Sequence, residues 1–163
     1  EWTGGFIPKL NMPDGFSIRN FVLSKDEKLL TDLQNTIFKQ NWGFCPNTVG
    51  EIKSRVRFKR CSEDGIKLLF CGDVPAAFNW TTQTSTKQSS TGWISMTGVA
   101  PNYRGIGLGM ITILCGMQYL KSKGISVINL EVDSQNDPAI KIYSKLGFEK
   151  VQETTWYEKP LLN

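Results

Sequence analysis

A chain of 163 residues, 40% hydrophobic and 21% charged, has the length for one domain with a sizeable core and the composition of an ordinary globular protein. Its net charge of +4 helps attract an anionic ligand but is too small to imply nucleic acid. With no histidine, Ser-His-Asp and Cys-His chemistry are excluded, and four cysteines without a C-x-x-C pair leave no zinc pattern. The longest apolar stretch, 108–120, is broken by Thr112, Gly116 and Gln118 and falls short of the about 20 residues of a membrane span. No secretory pattern is present, and Cys45, Cys61, Cys71 and Cys115 read as reduced residues, so a cytoplasmic location without metal or membrane is expected.

Residues 1–14, with two glycines, two prolines and little periodicity, read as a leader or interdomain linker, and 15–163 as the domain. Alternation over 16–21 predicts a first strand. Ser24 with Glu27 three residues on forms a capping-box pattern, followed by Leu29, Leu30, Leu33, Ile37 and Phe38 at helical spacing up to about Asn41-Trp42-Gly43. Thr48 and Glu51 repeat that pattern for a short second helix with Ile52, Val56 and Phe58 facing inward. Its Lys53, Arg55, Arg57, Lys59 and Arg60 read as a solvated face, since the aromatic interleaving of a nucleic-acid surface is missing. Residues 66–71 and 74–82 form a hairpin about Gly72-Asp73, and the Thr/Ser-rich stretch 81–91 reads as a loop.

A strand over 93–99 leads into Tyr103-Arg104-Gly105-Ile106-Gly107-Leu108-Gly109 and an apolar helix over 108–123, closed by Gly124. Alternating glycines and one arginine at a helix start describe an anion site: the first backbone N–H groups lack intrahelical partners, and glycine lets a phosphate approach them. The loop is neither the dinucleotide fingerprint, whose third glycine would fall on Met110, nor a Walker loop, which needs Gly-Lys-Ser/Thr. A strand over 125–133 follows. A short helix then begins with Asn136 as N-cap and Pro138, carries Ala139, Ile140, Tyr143 and Leu146, and stops at Gly147. Residues 148–157 read as a last strand.

Arg104-x-x-Gly107-x-Gly109, followed after a strand by Asn136-x-x-Ala139-x-x-x-Tyr143-x-x-x-Gly147-Phe148, resembles the GCN5-related N-acetyltransferase (GNAT) superfamily. The resemblance is specific over 93–148 and consistent over 16–82. It implies an α/β fold: a mixed, mostly antiparallel sheet of six to seven strands with four helices and a V-shaped splay between the fourth and fifth strands. It implies acetyl-coenzyme A as co-substrate, with Arg104, Gly105, Ile106, Gly107, Leu108 and Gly109 around the pyrophosphate. Thr97, Gly98 and Val99 would lie beside the pantetheine arm, Asn136 and Ala139 near it, and Tyr143 toward the sulfur. Asn41-Trp42-Gly43-Phe44 and Leu130-Glu131-Val132-Asp133 also resemble the mycothiol-synthase type, in which two such domains occur in tandem. The same strand and Tyr143 are equally similar to the ribosomal-protein N-terminal alanine acetyltransferases.

The expected function is therefore acetyl transfer to a primary amine of a small molecule or a protein N-terminus by direct attack in a ternary complex. A domain that binds acyl-coenzyme A without turnover is the alternative. A tandem domain or a homodimer is the expected assembly. Such chemistry needs a neutral amine and a proton for the leaving thiolate. Glu131, alternating away from Ile128, Leu130 and Val132, is the candidate base, acting through water, and Tyr143 the candidate acid. Trp42 and Phe44 belong either to the core or to the acceptor pocket.

Overall fold

Alternating apolar and polar residues build a five-stranded sheet in the computed structural model, which describes residues 1–85 and 90–157. The strands are β1 (Phe16–Asn20), β2 (Ile66–Cys71), β3 (Val74–Ser85), β4 (Ser90–Val99) and β5 (Val127–Leu130), and they lie side by side in that order. The first four pair antiparallel and β4 pairs β5 parallel, which is the mixed sheet expected. Gly72 closes the β2–β3 hairpin at a φ of +54°, which most side chains avoid.

Helices α1 (Glu27–Phe38) and α2 (Val49–Arg55) cover one face. Leu30, Leu33, Ile37 and Ile52 from these helices pack there against Leu68, Phe70, Phe78 and Trp80. Seven residues are too few to hold a helix in water, so α2 depends on its ends and its one buried residue. Thr48 accepts the Glu51 N–H at 3.2 Å and Glu51 accepts the Thr48 N–H at 2.7 Å, the reciprocal cap the spacing predicted. Phe58 lies beyond the helix and is exposed rather than inward. At α1 the expected cap is only half made. Glu27 takes the Ser24 N–H at 2.9 Å, but Ser24 has a φ of +67° and Asp26 is the N-cap residue.

Helices α3 (Leu108–Ser122) and α4 (Asp137–Lys145) lie on the other face. Leu108, Ile111, Ile113, Leu114, Cys115, Met117 and Leu120 of α3 are all buried, because the helix is covered from outside as well as by the sheet. That outer cover is the N-terminal segment. Trp2 is buried, Ile7, Leu10 and Met12 pack against the same clusters, and Gln118 and Lys121 each donate a 3.3 Å bond to its carbonyls at Pro8 and Gly5.

Three expected boundaries differ. The stretch 81–91 is not a free loop: β3 runs to Ser85 and β4 starts at Ser90, and residues 86–89 lie outside the described residues. The strand expected over 125–133 is confined to Val127–Leu130, where its pairing with β4 ends. Residues 149–157 are exposed and irregular, so the sheet has five strands among the described residues rather than six or seven; residues 158–163 lie outside them.

Charge is unevenly placed. Residues 49–60 hold the exposed Lys53, Arg55, Arg57, Lys59 and Arg60 against one carboxylate, Glu51, a sum equal to the whole net charge of +4.

Candidate functional site

β4 outlasts β5. Their pairing runs from Thr91↔Val127 to Ile94↔Leu130 and stops, while β4 continues to Val99 paired only on its β3 side. The two strands part there, opening a cleft flanked by Thr97, Gly98 and Val99. The Thr97 hydroxyl donates to the Phe78 carbonyl at 3.1 Å, which leaves its main chain as the part facing the cleft region. Gly98 lets α1 cross closely: a Cβ there would stand 2.6 Å from Ile37 Cγ2, so the isoleucine would have to shift.

Arg104 ties these elements together. Its Nε donates to the Val99 carbonyl and one terminal nitrogen to the Ile37 carbonyl at the end of α1, each at 3.1 Å. The arginine expected at a phosphate thus also braces the loop, and its other terminal nitrogen is not used in those two bonds. The glycines behind it have separate reasons. Gly105 and Gly107 have φ of +82° and +90°, Gly107 being the N-cap of α3, and an added Cβ at either would meet nothing within 4 Å. Space above the loop is open, and the first N–H groups of α3 lack helical acceptors. Leu108 is buried and anchors the helix start, while Ile106 is exposed at the tip. Gly109 lets α4 come close: its Cβ would lie 3.1 Å from Ile142 Cδ1.

A cavity of about 300 Å³ adjoins the loop, lined by Thr36, Ile37, Lys39, Gln40, Pro101 and Arg104. It brings Lys39 beside Arg104, a juxtaposition that no sequence spacing announces. A larger groove of about 520 Å³ runs along α1 from Lys25 to Thr36 and reaches Pro75 and Ala100. It holds none of the predicted site residues, and its Lys28 is paired with Asp32.

Asn136 Oδ1 accepts the Ala139 N–H at 3.2 Å, the N-cap expected, which leaves its amide nitrogen outward. Tyr143 is half-buried with its ring centroid 6.0 Å from that of Phe148, and burial pushes its phenol above the ordinary pKa. The Gly109–Ile142 approach therefore sets the glycine loop against the helix that carries Tyr143. Glu131 is exposed just past the end of β5, not within a strand. Trp42 is 74% exposed and Phe44 half-buried on the α1–α2 connection. Two bonds, Asn35 Nδ2 to the Asn47 carbonyl at 2.9 Å and the Asn47 N–H to Asn35 Oδ1 at 2.8 Å, pin the far end of that connection.

A parallel pair that parts beside a glycine-capped helix is the arrangement that the GNAT resemblance implies. Residues 29–148 match the acetyltransferase (GNAT) family, and the chain belongs to that family. It is similar to the mycothiol acetyltransferase of Stackebrandtia nassauensis, 32% identical over 150 residues, covering 90% of this chain and 49% of that protein. The chain spans about half the length of the curated relatives it matches. A GCN5-related N-acetyltransferase from Sphaerobacter thermophilus shares the fold with a TM-score of 0.74 at 21% identity, over 90% of this chain and 45% of that one. Naa50 of Arabidopsis thaliana, solved with the bisubstrate analogue CoA-Ac-MVNAL, does so with a TM-score of 0.66 at 21% identity, over 85% of each.

Proposed function

We propose that the chain transfers an acetyl group from acetyl-coenzyme A to a primary amine by direct attack in a ternary complex. The observation that carries this is the parting of β4 from β5 at the mouth of the open loop that caps α3. Gly105, Ile106, Gly107, Leu108 and Gly109 would offer main-chain donors to the pyrophosphate, with Arg104 and Lys39 adding positive charge. Thr97, Gly98 and Val99 would offer main-chain partners to the pantetheine arm, and Asn136 its free amide nitrogen. The co-substrate supplies an acetyl group already activated as a thioester. In the transfer a C–N bond forms and the C–S bond breaks; the amine loses one proton and the thiolate gains one. Tyr143, kept protonated by burial, is the donor to sulfur. Glu131 takes the amine proton through a water, or holds the cation by charge.

The acceptor is a small-molecule amine or a protein N-terminus. Relatives named for mycothiol stand at higher identity than the peptide-bound neighbour, which favours the small molecule. Coverage of half of each curated relative favours a tandem partner domain. The test is thioester consumption over amino sugars, aminoacyl thiols, polyamines and peptides with free N-termini. Acceptor-dependent loss supports transfer. Tight acetyl-coenzyme A binding without any acceptor-dependent loss leaves a binding domain instead.

Glu131→Gln should lower kcat/KM most near neutral pH and recover above about pH 9, where free amine is abundant, if the residue is a base. If it is a binding charge, KM for cationic acceptors rises and the pH profile keeps its shape. A variant equal to wild type in both respects removes Glu131 from the mechanism.

A further inference from the structure

β5 has four residues and ends the sheet, so its outer edge would ordinarily stand bare. It is covered. Trp2 N–H donates to the Ile128 carbonyl at 2.7 Å and Ile128 N–H to the Trp2 carbonyl at 2.8 Å. Next along, Glu1 N donates to the Glu149 carbonyl at 2.7 Å and Glu149 N–H to the Glu1 carbonyl at 2.8 Å. Residues 1–2 thus lie between β5 and the chain that leaves α4, where a further strand was expected. The Trp2 side chain is 3% exposed in the cluster that holds Ile128, Leu146 and Phe148. Gly147 passes beneath it, its would-be Cβ 3.6 Å from Trp2 Cδ1, and Lys121 Nζ stands 5.9 Å from the ring centroid.

What Trp2 grips matters because α4 has no fully buried residue of its own. The helix is held by its partly buried Ile142 and Tyr143 and by the residues just after it, Leu146 and Phe148, both buried. Their N–H groups both donate to the Tyr143 carbonyl at 3.0 Å, and the Phe148 ring lies against the Tyr143 ring. Trp2 therefore touches β5, one arm of the cleft, and the segment that fixes Tyr143.

We infer that residues Glu1 and Trp2 form a clamp that sets the distance between the cleft and Tyr143, which makes Trp2 a positioning residue for acetyl transfer. The inference rests on the proposed function for its catalytic half and on geometry alone for its mechanical half. A reacting pair displaced by about 1 Å loses up to about a hundredfold in rate, so a loosened clamp acts on turnover before it acts on cofactor binding.

The test uses the full chain with Trp2→Ala and Trp2→Phe. Should Trp2→Ala not fold, Trp2→Leu keeps apolar volume without the ring. The readouts are amide hydrogen exchange at Leu146, Gly147 and Phe148, acetyl-coenzyme A Kd, and kcat. Trp2→Ala should speed exchange at those amides by about tenfold or more and lower kcat by about tenfold, with Kd within about twofold, and Trp2→Phe should restore most of both. Unchanged exchange overturns the clamp whether or not the protein acetylates anything. Faster exchange with unchanged kcat, or a parallel fall in kcat and cofactor affinity, overturns the positioning role. Exchange needs no turnover, so a wild type that consumes no thioester fails the proposed function while the clamp is still decided.

Discussion

Tyr143, the proposed proton donor to sulfur, is partly buried. Its phenol pKa is raised by desolvation alone, so it holds its proton through neutral pH and well into alkali. Tyr143→Phe removes that proton and almost none of the packing, and kcat should fall by roughly 10- to 1000-fold with acetyl-coenzyme A affinity little changed. Equal losses in both would assign Tyr143 to packing. Asp26 has an electrostatic role of a different kind. The Arg19 guanidinium, at 2.6 and 2.9 Å, holds its carboxyl below the ordinary value, against the opposing effect of burial and with help from the Val22 N–H at 2.7 Å. A depressed folded-state pKa contributes stability that is present above the ordinary carboxylate value and is lost as pH falls through the folded value. Asp26→Asn should cost about 1–2 kcal/mol at pH 7, at the low end for charged hydrogen bonds because Arg19 is partly in solvent. In urea titrations that gap should close as pH drops below about 4; a gap that stays constant to lower pH would deny the ion pair its part. Asp26 also shows why the cap at α1 was misread. Ser24 and Glu27 carry the right spacing, but a carboxylate two residues on, within reach of Arg19 and Val22, determines how the chain enters the helix.

At the level of elements, what was legible in the sequence is what neighbouring residues settle among themselves. The Thr48–Glu51 box, the Gly72 hairpin and the glycine-capped start of α3 each close within a few residues, and each stands where expected. What failed needed a distant partner. Residues 148–157 read as a last strand, yet a strand exists only beside another, and residues 1–2 lie against the β5 edge. Arg104 was readable as a loop cation but not as the brace between Val99 and Ile37, which are five and 67 positions away. Packing between α3 and β3 gives the sharpest elemental test. Gly116 sits over Asn79, and an added Cβ would collide with that buried amide, whose Oδ1 and Nδ2 have no partner among the described residues. Alanine gains about 1 kcal/mol of helix propensity over glycine, but overpacking costs about 1–3 kcal/mol. Gly116→Ala should therefore lower the urea midpoint, and a rise would show that Asn79 moves aside freely.

For the molecule as a whole, binding at the α3 cap should be visible as stability, because a ligand that binds only the folded chain raises its melting temperature. Acetyl-coenzyme A should do so. Gly107→Glu puts a carboxylate where phosphate would lie and should abolish the shift, measured against the variant's own unliganded melting temperature since Gly107 needs a positive φ. Dephospho-coenzyme A should still bind, as the loop is proposed to hold the pyrophosphate. A full shift in Gly107→Glu would move the cofactor elsewhere.

The glycine loop, Tyr103 to Gly109, carries one charge, Arg104, whereas the chain's excess positive charge lies on α2 and the turn after it. The excess positive charge is accordingly concentrated in one segment rather than spread over the chain. The general pull on an anionic co-substrate that +4 implied belongs mostly to a different segment. In physiological salt that field reaches only about 8 Å, so it turns the molecule in the last moments before contact rather than steering it from afar. On an anionic resin the chain should land α2 first and hold more firmly than its isoelectric point, an average over the whole surface, would indicate. One exchange of sign at Lys59 would remove half of the net charge of +4 without touching any residue assigned to acetyl transfer.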